Sequence, residues 1–268
     1  MGEDVPAESF YEPLGGGRFA STAATAGPWS PGLQHGGPFS ALIGRAFERH
    51  DPAPGTRLAR VTVEILSPVP VAELEVGVRV VRPGRRVAFL EGEITHEGRP
   101  VARASAWRIM AAPSRLEPVV HAAAPPDLPG TPEPFGEWAG MHRDGYLSAL
   151  EWRLVRGAFG APGPGTVWAR PRIPLVAGEA DTPLVRALTL ADSASGIGSQ
   201  LDPAEWLIIN TDVTVALHRD PVGEWLCLAA SLDAAPGGSA LCQGTLADRS
   251  GELGRVLQTL LVDERPPG

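Results

Sequence analysis

The sequence predicts an α+β protein that uses one structural unit twice, and three observations support this. A strand pattern in the first half returns about 152 positions later. An amphipathic helix pattern stands just before the first copy. A proline-rich stretch lies between the copies.

The segment 61–70 (VTVEILSPVP) alternates apolar residues and closes on prolines, as does 213–222 (VTVALHRDPV). Downstream, 74–84 (LEVGVRVVRPG) and 226–237 (LCLAASLDAAPG) are extended runs that end in a Pro-Gly turn. Return strands are expected over 87–95 and 239–246, and closing strands over 101–109 and 255–262. Ahead of the first copy, Phe39, Leu42, Ile43, Ala46 and Phe47 fall on one stripe of a 3.6-residue period. Pro38 suits the first turn of that helix, where a missing N–H costs nothing. The matching region, 185–201, is apolar but crowded with Ser and Gly. Each half therefore reads as a helix followed by a four-strand antiparallel meander, with a further strand before the helix. The boundaries fall at 1–111 and 137–268, joined by an extended proline-rich linker at 112–136.

Composition narrows the function. A net charge of −8 argues against binding nucleic acid, which needs clustered basic surface. No apolar run is long enough to cross a bilayer, and the acidic N-terminus carries no signal-like apolar stretch, so a cytoplasmic protein is expected. The two cysteines, Cys227 and Cys242, could face each other across a hairpin, although reduced structural thiols are the commoner case. No His/Cys group stands at ligand spacing, so neither metal nor cofactor is expected. All 23 basic residues are arginine, which excludes a Schiff-base or P-loop lysine.

Ordered segments carry a family resemblance. The stretch 29–39 (WSPGLQHGGPF), then 168–176 (WARPRIPLV), 190–192 (LAD), 210–219 (NTDVTVALHR) and 256–258 (VLQ) resemble the TesB-like acyl-CoA thioesterases of the thioesterase II type. The likeness runs from about residue 10 to 265. It implies a tandem double hot-dog, each half a long helix wrapped by an antiparallel sheet, which hydrolyses an acyl-CoA or acyl-carrier-protein thioester. A homo-oligomer is compatible with it. It further implies a site of an Asp near the second helix, a Thr or Ser on the following strand and a Gln on the last strand, together orienting a water. Asp192 and Gln258 match two of these. Asn210, with Thr211 beside it, stands at the third, a departure from the hydroxyl pattern that still supplies both a donor and an acceptor.

Each candidate also has a structural reading. Asp192 has no charged neighbour between Arg186 and Asp202, and is either a helix N-cap or a desolvated base. Strand alternation puts Asn210 on one face with Asp212, Thr214 and His218, and Thr211 on the other with Val213, Val215 and Leu217, so only one of Asn210 and Thr211 should reach the site. Gln258 sits in an apolar strand, where a buried amide can be satisfied by backbone alone. The glycines of His35-Gly36-Gly37 either permit a tight helix start or offer N–H groups to a thioester carbonyl as an oxyanion hole. Phe39, Ile43 and Ile197 are expected to line an acyl tunnel between helix and sheet. Arg82, Arg85 and Arg86 flank a turn and read as solvated, with contact to CoA phosphate as the alternative. No Gly-x-Ser-x-Gly elbow is present.

The expected reaction is hydrolysis of an acyl-CoA thioester to a carboxylic acid and CoA, with Asp192 as base and Asn210 and Gln258 positioning the water. The first half has Ala41 near the Asp192 position, Arg60 at Asp212 and Ala106 at Gln258, so one active site per chain is expected. Alternatives are another reaction on the same fold, such as a dehydratase or a biosynthetic tailoring step, and a non-catalytic acyl-binding protein.

Overall fold

The computed structural model describes residues 5, 7–111, 119, 124–131, 141–157, 162–202 and 204–265. Most of the linker expected at 112–136 lies outside these residues. In chain order the first half contains β1 (Tyr11–Gly15), β2 (Arg18–Ser21), β3 (Ala26–Gly27), β4 (Ser30–Gln34), α1 (Gly36–Arg49), β5 (Thr56–Ile65), β6 (Glu73–Arg82), β7 (Val87–His96) and β8 (Arg99–Met110). The second half contains α2 (Tyr146–Ala149), β9 (Leu150–Arg156), β10 (Gly165–Pro171), α3 (Pro183–Ala191), α4 (Ala194–Gly198), β11 (Trp206–Asn210), β12 (Asp212–Leu217), β13 (Leu226–Ala235), β14 (Ser239–Asp248) and β15 (Gly251–Glu264).

One sheet runs through both halves in the order β1-β2-β6-β7-β8-β5-β12-β15-β14-β13-β10-β9, with β11 extending the β12 side along β15. The expected four-strand meander is corrected. Only β6-β7-β8 and β13-β14-β15 are meanders, while β5 and β12 cross over to pair with β8 and β15. The crossover places β5 and β12 side by side at the centre, antiparallel, with Val61 opposite Val215 and Val63 opposite Val213. Thr62 meets Thr214, hydroxyl to hydroxyl at 3.0 Å, a separation of 152 residues. The repeat read from sequence is thus a pseudo-twofold axis through that threonine pair.

The helices lie on the inner face. Phe39, Leu42, Ile43 and Phe47 of α1 are all buried, as the stripe requires. The helix of the second half is broken into α3 and α4 at Asp192-Ser193. α1 and α3 run antiparallel at very close approach. A Cβ on Gly37 would stand 2.2 Å from the Thr189 carbonyl oxygen, and one on Gly44 would stand 2.2 Å from Leu188 Cδ1. Their other ends are tied by Thr182, which caps α3 and donates to Glu48 at 2.7 Å. Beside that contact, Arg45 makes a bidentate pair with Glu179 at 2.6 and 2.7 Å. Cys227 and Cys242 do not face each other, because Cys227 pairs with Ala247 and Cys242 with Leu232. Both are free, buried thiols whose pKa burial pushes up to about 12.

Candidate active site

The break between α3 and α4 makes the site. Asp192 closes the C-terminal end of α3 in αR conformation, so the N-cap reading is overturned: it stands at the opposite end of a helix and its carboxylate caps nothing. The carboxylate is buried and turned to β11 and β15. Its Oδ1 accepts from Asn210 Nδ2 at 2.5 Å and from Gln258 Nε2 at 3.0 Å. Gln258 is completely buried, and its Oε1 accepts the Ser195 N–H at 3.0 Å, one of the donors a helix start leaves unpaired. One amide thus anchors the start of α4 and orients the carboxylate at the end of α3.

Asn210 reaches Asp192 because the strand is bulged. Asn210 opposes Leu260 on β15, but Thr214 opposes Leu257, so four steps along one strand match three along the other. The extra residue moves Asn210 to the inner face that Val213 and Val215 also occupy, which uninterrupted alternation forbids. Thr211, at the bulge, lies at the cavity wall, and its hydroxyl donates to the Thr259 carbonyl at 3.1 Å instead of to Asp192. Both residues line the cavity, so the exclusion argued from alternation fails.

His35 comes to Asp192 from the other half of the chain. It is the N-cap of α1: Nδ1 accepts the Gly37 N–H at 3.0 Å and stands 3.2 Å from Asp192 Oδ2. Gly36 permits this approach, since a Cβ there would lie 2.4 Å from the same carboxylate. The ring stacks on Tyr146, centroids 3.7 Å apart and planes within 6°. The Tyr146 hydroxyl donates to the Thr189 carbonyl at 2.8 Å and pairs with the Ser193 hydroxyl at 2.7 Å. Burial lowers the His35 pKa more than the Asp192 charge raises it, so the ring is neutral. With Nδ1 an acceptor, the ring proton sits on Nε2. The sequence reading did not select Tyr146. Its only sequence signal is an aromatic residue beside a Gly just past the linker, and its role depends on tertiary contact.

Asp192, Asn210, His35 and Gly36 line one cavity of about 500 Å³. Its remaining wall is largely apolar and includes Trp29, Phe39, Leu66, Leu147 and Ile208. The cavity exists because the seam between the halves opens at one end. Ile65 N–H still donates to the Thr211 carbonyl at 2.8 Å, but Leu66 and Ser67 turn to the Val101 carbonyl. Of the expected tunnel residues, Phe39 lines the cavity and Ile43 and Ile197 do not. Ile43 is packed against Gly92 and Ile197 against Gly165, which closes the space between helix and sheet. Gly37 is also outside the cavity lining, its N–H held by His35. None of Arg82, Arg85 and Arg86 lines this cavity.

At the opposite end of the seam the pseudo-twofold axis places a smaller cavity of about 230 Å³. There Arg57 occupies the position Ile209 holds in the active half and donates to the Leu217 and His218 carbonyls at 3.1 and 2.8 Å. A larger groove of about 750 Å³ lies on the outer sheet face of the first half. Its wall carries the ion pairs Arg79–Glu91 and Arg103–Glu93, with no grouping suited to catalysis. Among the described residues no His, Cys, Asp and Glu cluster could hold a metal, and no helix is long and apolar enough to cross a membrane.

Comparison with known proteins gives this geometry a family. A family model for the acyl-CoA thioesterase C-terminal domain matches residues 122–262, and one for the N-terminal domain matches residues 25–109. The chain belongs to the acyl-CoA thioesterase family. As a member of that family it is a thioester hydrolase, acting on acyl-CoA thioesters. Solved structures share the fold. The tesB protein of Mycobacterium avium subspecies paratuberculosis is 21% identical with a TM-score of 0.65, covering 96% of each chain. Acyl-CoA thioesterase II TesB2 of Mycobacterium marinum is 19% identical with a TM-score of 0.64, over 96% of this chain and 95% of that one. A hot-dog-fold protein of Alicyclobacillus acidocaldarius is 19% identical with a TM-score of 0.68, over 96% of both. Comparison with curated protein sequences finds no match.

Proposed function

We propose that this thioesterase-family chain is a double hot-dog enzyme that hydrolyses an acyl-CoA thioester at Asp192, with Asn210 and Gln258 holding the carboxylate in position. The observation that carries the reading is the two amide N–H groups converging on Asp192 Oδ1, at 2.5 and 3.0 Å. They fix the carboxylate and leave Oδ2 to act. Oδ2 stands 3.2 Å from His35 Nδ1, whose one lone pair already accepts the Gly37 N–H.

A water held at Oδ2 gives its proton to that oxygen as its own oxygen attacks the thioester carbon. The proton stays on Oδ2 while the tetrahedral oxyanion stands. Gly36 lines the cavity at the positive end of α1, so its N–H is the donor proposed for the oxyanion, whereas the Gly37 N–H is occupied by His35. The C–S bond then breaks, the thiolate takes the proton from Oδ2, and a carboxylic acid and a free thiol leave.

The test is thiol release from a panel of acyl-CoAs. Asp192→Asn is expected to lose about 10²- to 10⁴-fold in kcat. Turnover equal to the unaltered protein would remove Asp192 from the reaction. The His35–Asp192 contact also supports a second reading, hydration or dehydration of an acyl thioester by an imidazole–carboxylate pair. That reaction changes the acyl group and releases no thiol, so the same assay separates the two.

A further inference from the structure

We propose that the open edge of β11 binds the amide-bearing arm of the thioester's carrier, pairing with it as an added strand would. The inference rests on thioester hydrolysis at Asp192. β11 pairs with β15 on one side, Trp206 opposite Glu264 through Asn210 opposite Leu260. Among the described residues no strand pairs with its other side.

Two bonds at the ends of the ladder fix its phase. Thr211 N–H donates to the Thr259 carbonyl at 2.9 Å, and Arg265 N–H donates to the Glu205 carbonyl at 2.9 Å. Residues 205, 207 and 209 therefore turn their peptide groups to β15. Ile208 and Asn210 turn theirs the other way, and both line the cavity. Two N–H groups and two carbonyls in register face a half-enclosed, largely apolar space, a setting in which main-chain groups require partners.

The ligand chemistry that matches is a chain of secondary amides. A phosphopantetheine arm carries two such amides in series between its sulfur and its phosphate, and strand addition recognises that pattern without any side chain. Position and length agree. One end of the edge is Asn210, whose side chain holds Asp192, where the thioester carbon must sit. The other end is Glu205, whose carbonyl is bonded to Arg265, and Arg265 lines the same cavity. Five residues of strand span about 17 Å at ~3.4 Å each. The extended arm from sulfur to phosphorus is roughly as long as four to five residues of extended chain. A thioester carbon at Asp192 thus places the phosphate beside Arg265, the only arginine of the described cavity lining.

The experiment uses the full chain and one acyl group on a series of thiols: CoA, pantetheine with both amides, N-acetylcysteamine with one, and ethanethiol with none. kcat/KM is expected to fall about five- to tenfold for each amide removed, the weight of one hydrogen bond. Equal values for pantetheine and ethanethiol would overturn the proposal, and this comparison needs no variant. In Ile208→Pro the lost N–H is not part of the β15 ladder, so an edge position tolerates it. The kcat/KM ratio of CoA to ethanethiol thioester is expected to drop about fivefold in that variant. An unchanged ratio counts against the edge. A thioester on a phosphopantetheinylated carrier protein, run alongside, should lose the same factor as the CoA thioester, and a loss confined to one of them overturns the shared-arm assignment. Activity that survives Asp192→Asn on every substrate sinks the hydrolytic reading alone and leaves the amide dependence standing.

Discussion

Gly37→Ala tests whether the closeness of α1 and α3 is a condition of the site. The added Cβ would stand 2.2 Å from the Thr189 carbonyl oxygen and 3.2 Å from Tyr146 Cε2. Ordinary contact begins near 3.4 Å, so the helices must separate by about 1 Å. The obstacle is backbone and cannot rotate away. Overpacking of this kind costs typically 1–3 kcal/mol, and alanine returns less than ~1 kcal/mol of helix propensity in a first turn. The net is about 2 kcal/mol of lost stability, or roughly 4–8 °C in Tm for a chain of this size. Gly44→Ala is the internal control. Its Cβ meets the flexible end of Leu188 in mid-helix, so propensity and clash nearly cancel and Tm should move little. Thermal unfolding followed by circular dichroism reads both variants. In Gly37→Ala, kcat should also fall about 100-fold, since the shift moves His35 and Gly36 away from Asp192 by an amount that matters to catalysis. A Tm at or above that of the unaltered protein would refute the argument that the glycine sets the helix spacing.

Asn210→Leu removes one donor from Asp192 Oδ1 and should cost kcat about 10- to 100-fold with KM little changed, while Asn210→Thr should retain more; thiol-release kinetics decide it. Stability should fall with pH through His35. Burial lowers its folded pKa below 6.5, so the contribution is complete above the unfolded value and is lost as pH drops from there toward the folded one. Glu48 and Asp181, whose pKa values burial raises, act oppositely, losing stability as pH rises through their folded values. His35→Asn should therefore flatten the slope of unfolding free energy between pH 7 and 5 relative to the unaltered chain, and an identical slope would count against a neutral His35. Arg219→Met strips two bonds of 2.6 Å from the fully buried Asp248, leaving the Val222 and Ser250 N–H groups, and should cost about 3 kcal/mol in urea unfolding.

The fold was legible where local pattern and repetition carry it. The 152-residue offset is visible in the strings VTV at 61–63 and 213–215, and it reappears as the pairing of Thr62 with Thr214. Strand order was not legible, because alternation within β5 says nothing about whether β6 or β8 lies beside it. Asp192, Asn210 and Gln258 could each be named from residue type and family resemblance. Their convergence could not. Asn210 faces inward through a bulge that no Gly or Pro announces, and His35 reaches Asp192 across 157 positions because two glycines let the helices touch. The closed space behind Ile43 and Ile197 was equally hidden, since sequence gives the volume of a side chain and not the gap it enters.

Arg57, donating to the Leu217 and His218 carbonyls at one end of the seam, has a counterpart in Ile209 at the other, where the seam stands open. In a symmetric pair of identical chains an arginine at that position would appear at both ends and close both. Covalent linkage of the two halves lifts that constraint. Each half can then accept substitutions its twin could not survive, and one end of the molecule is free to specialise in chemistry while the other becomes a fastening.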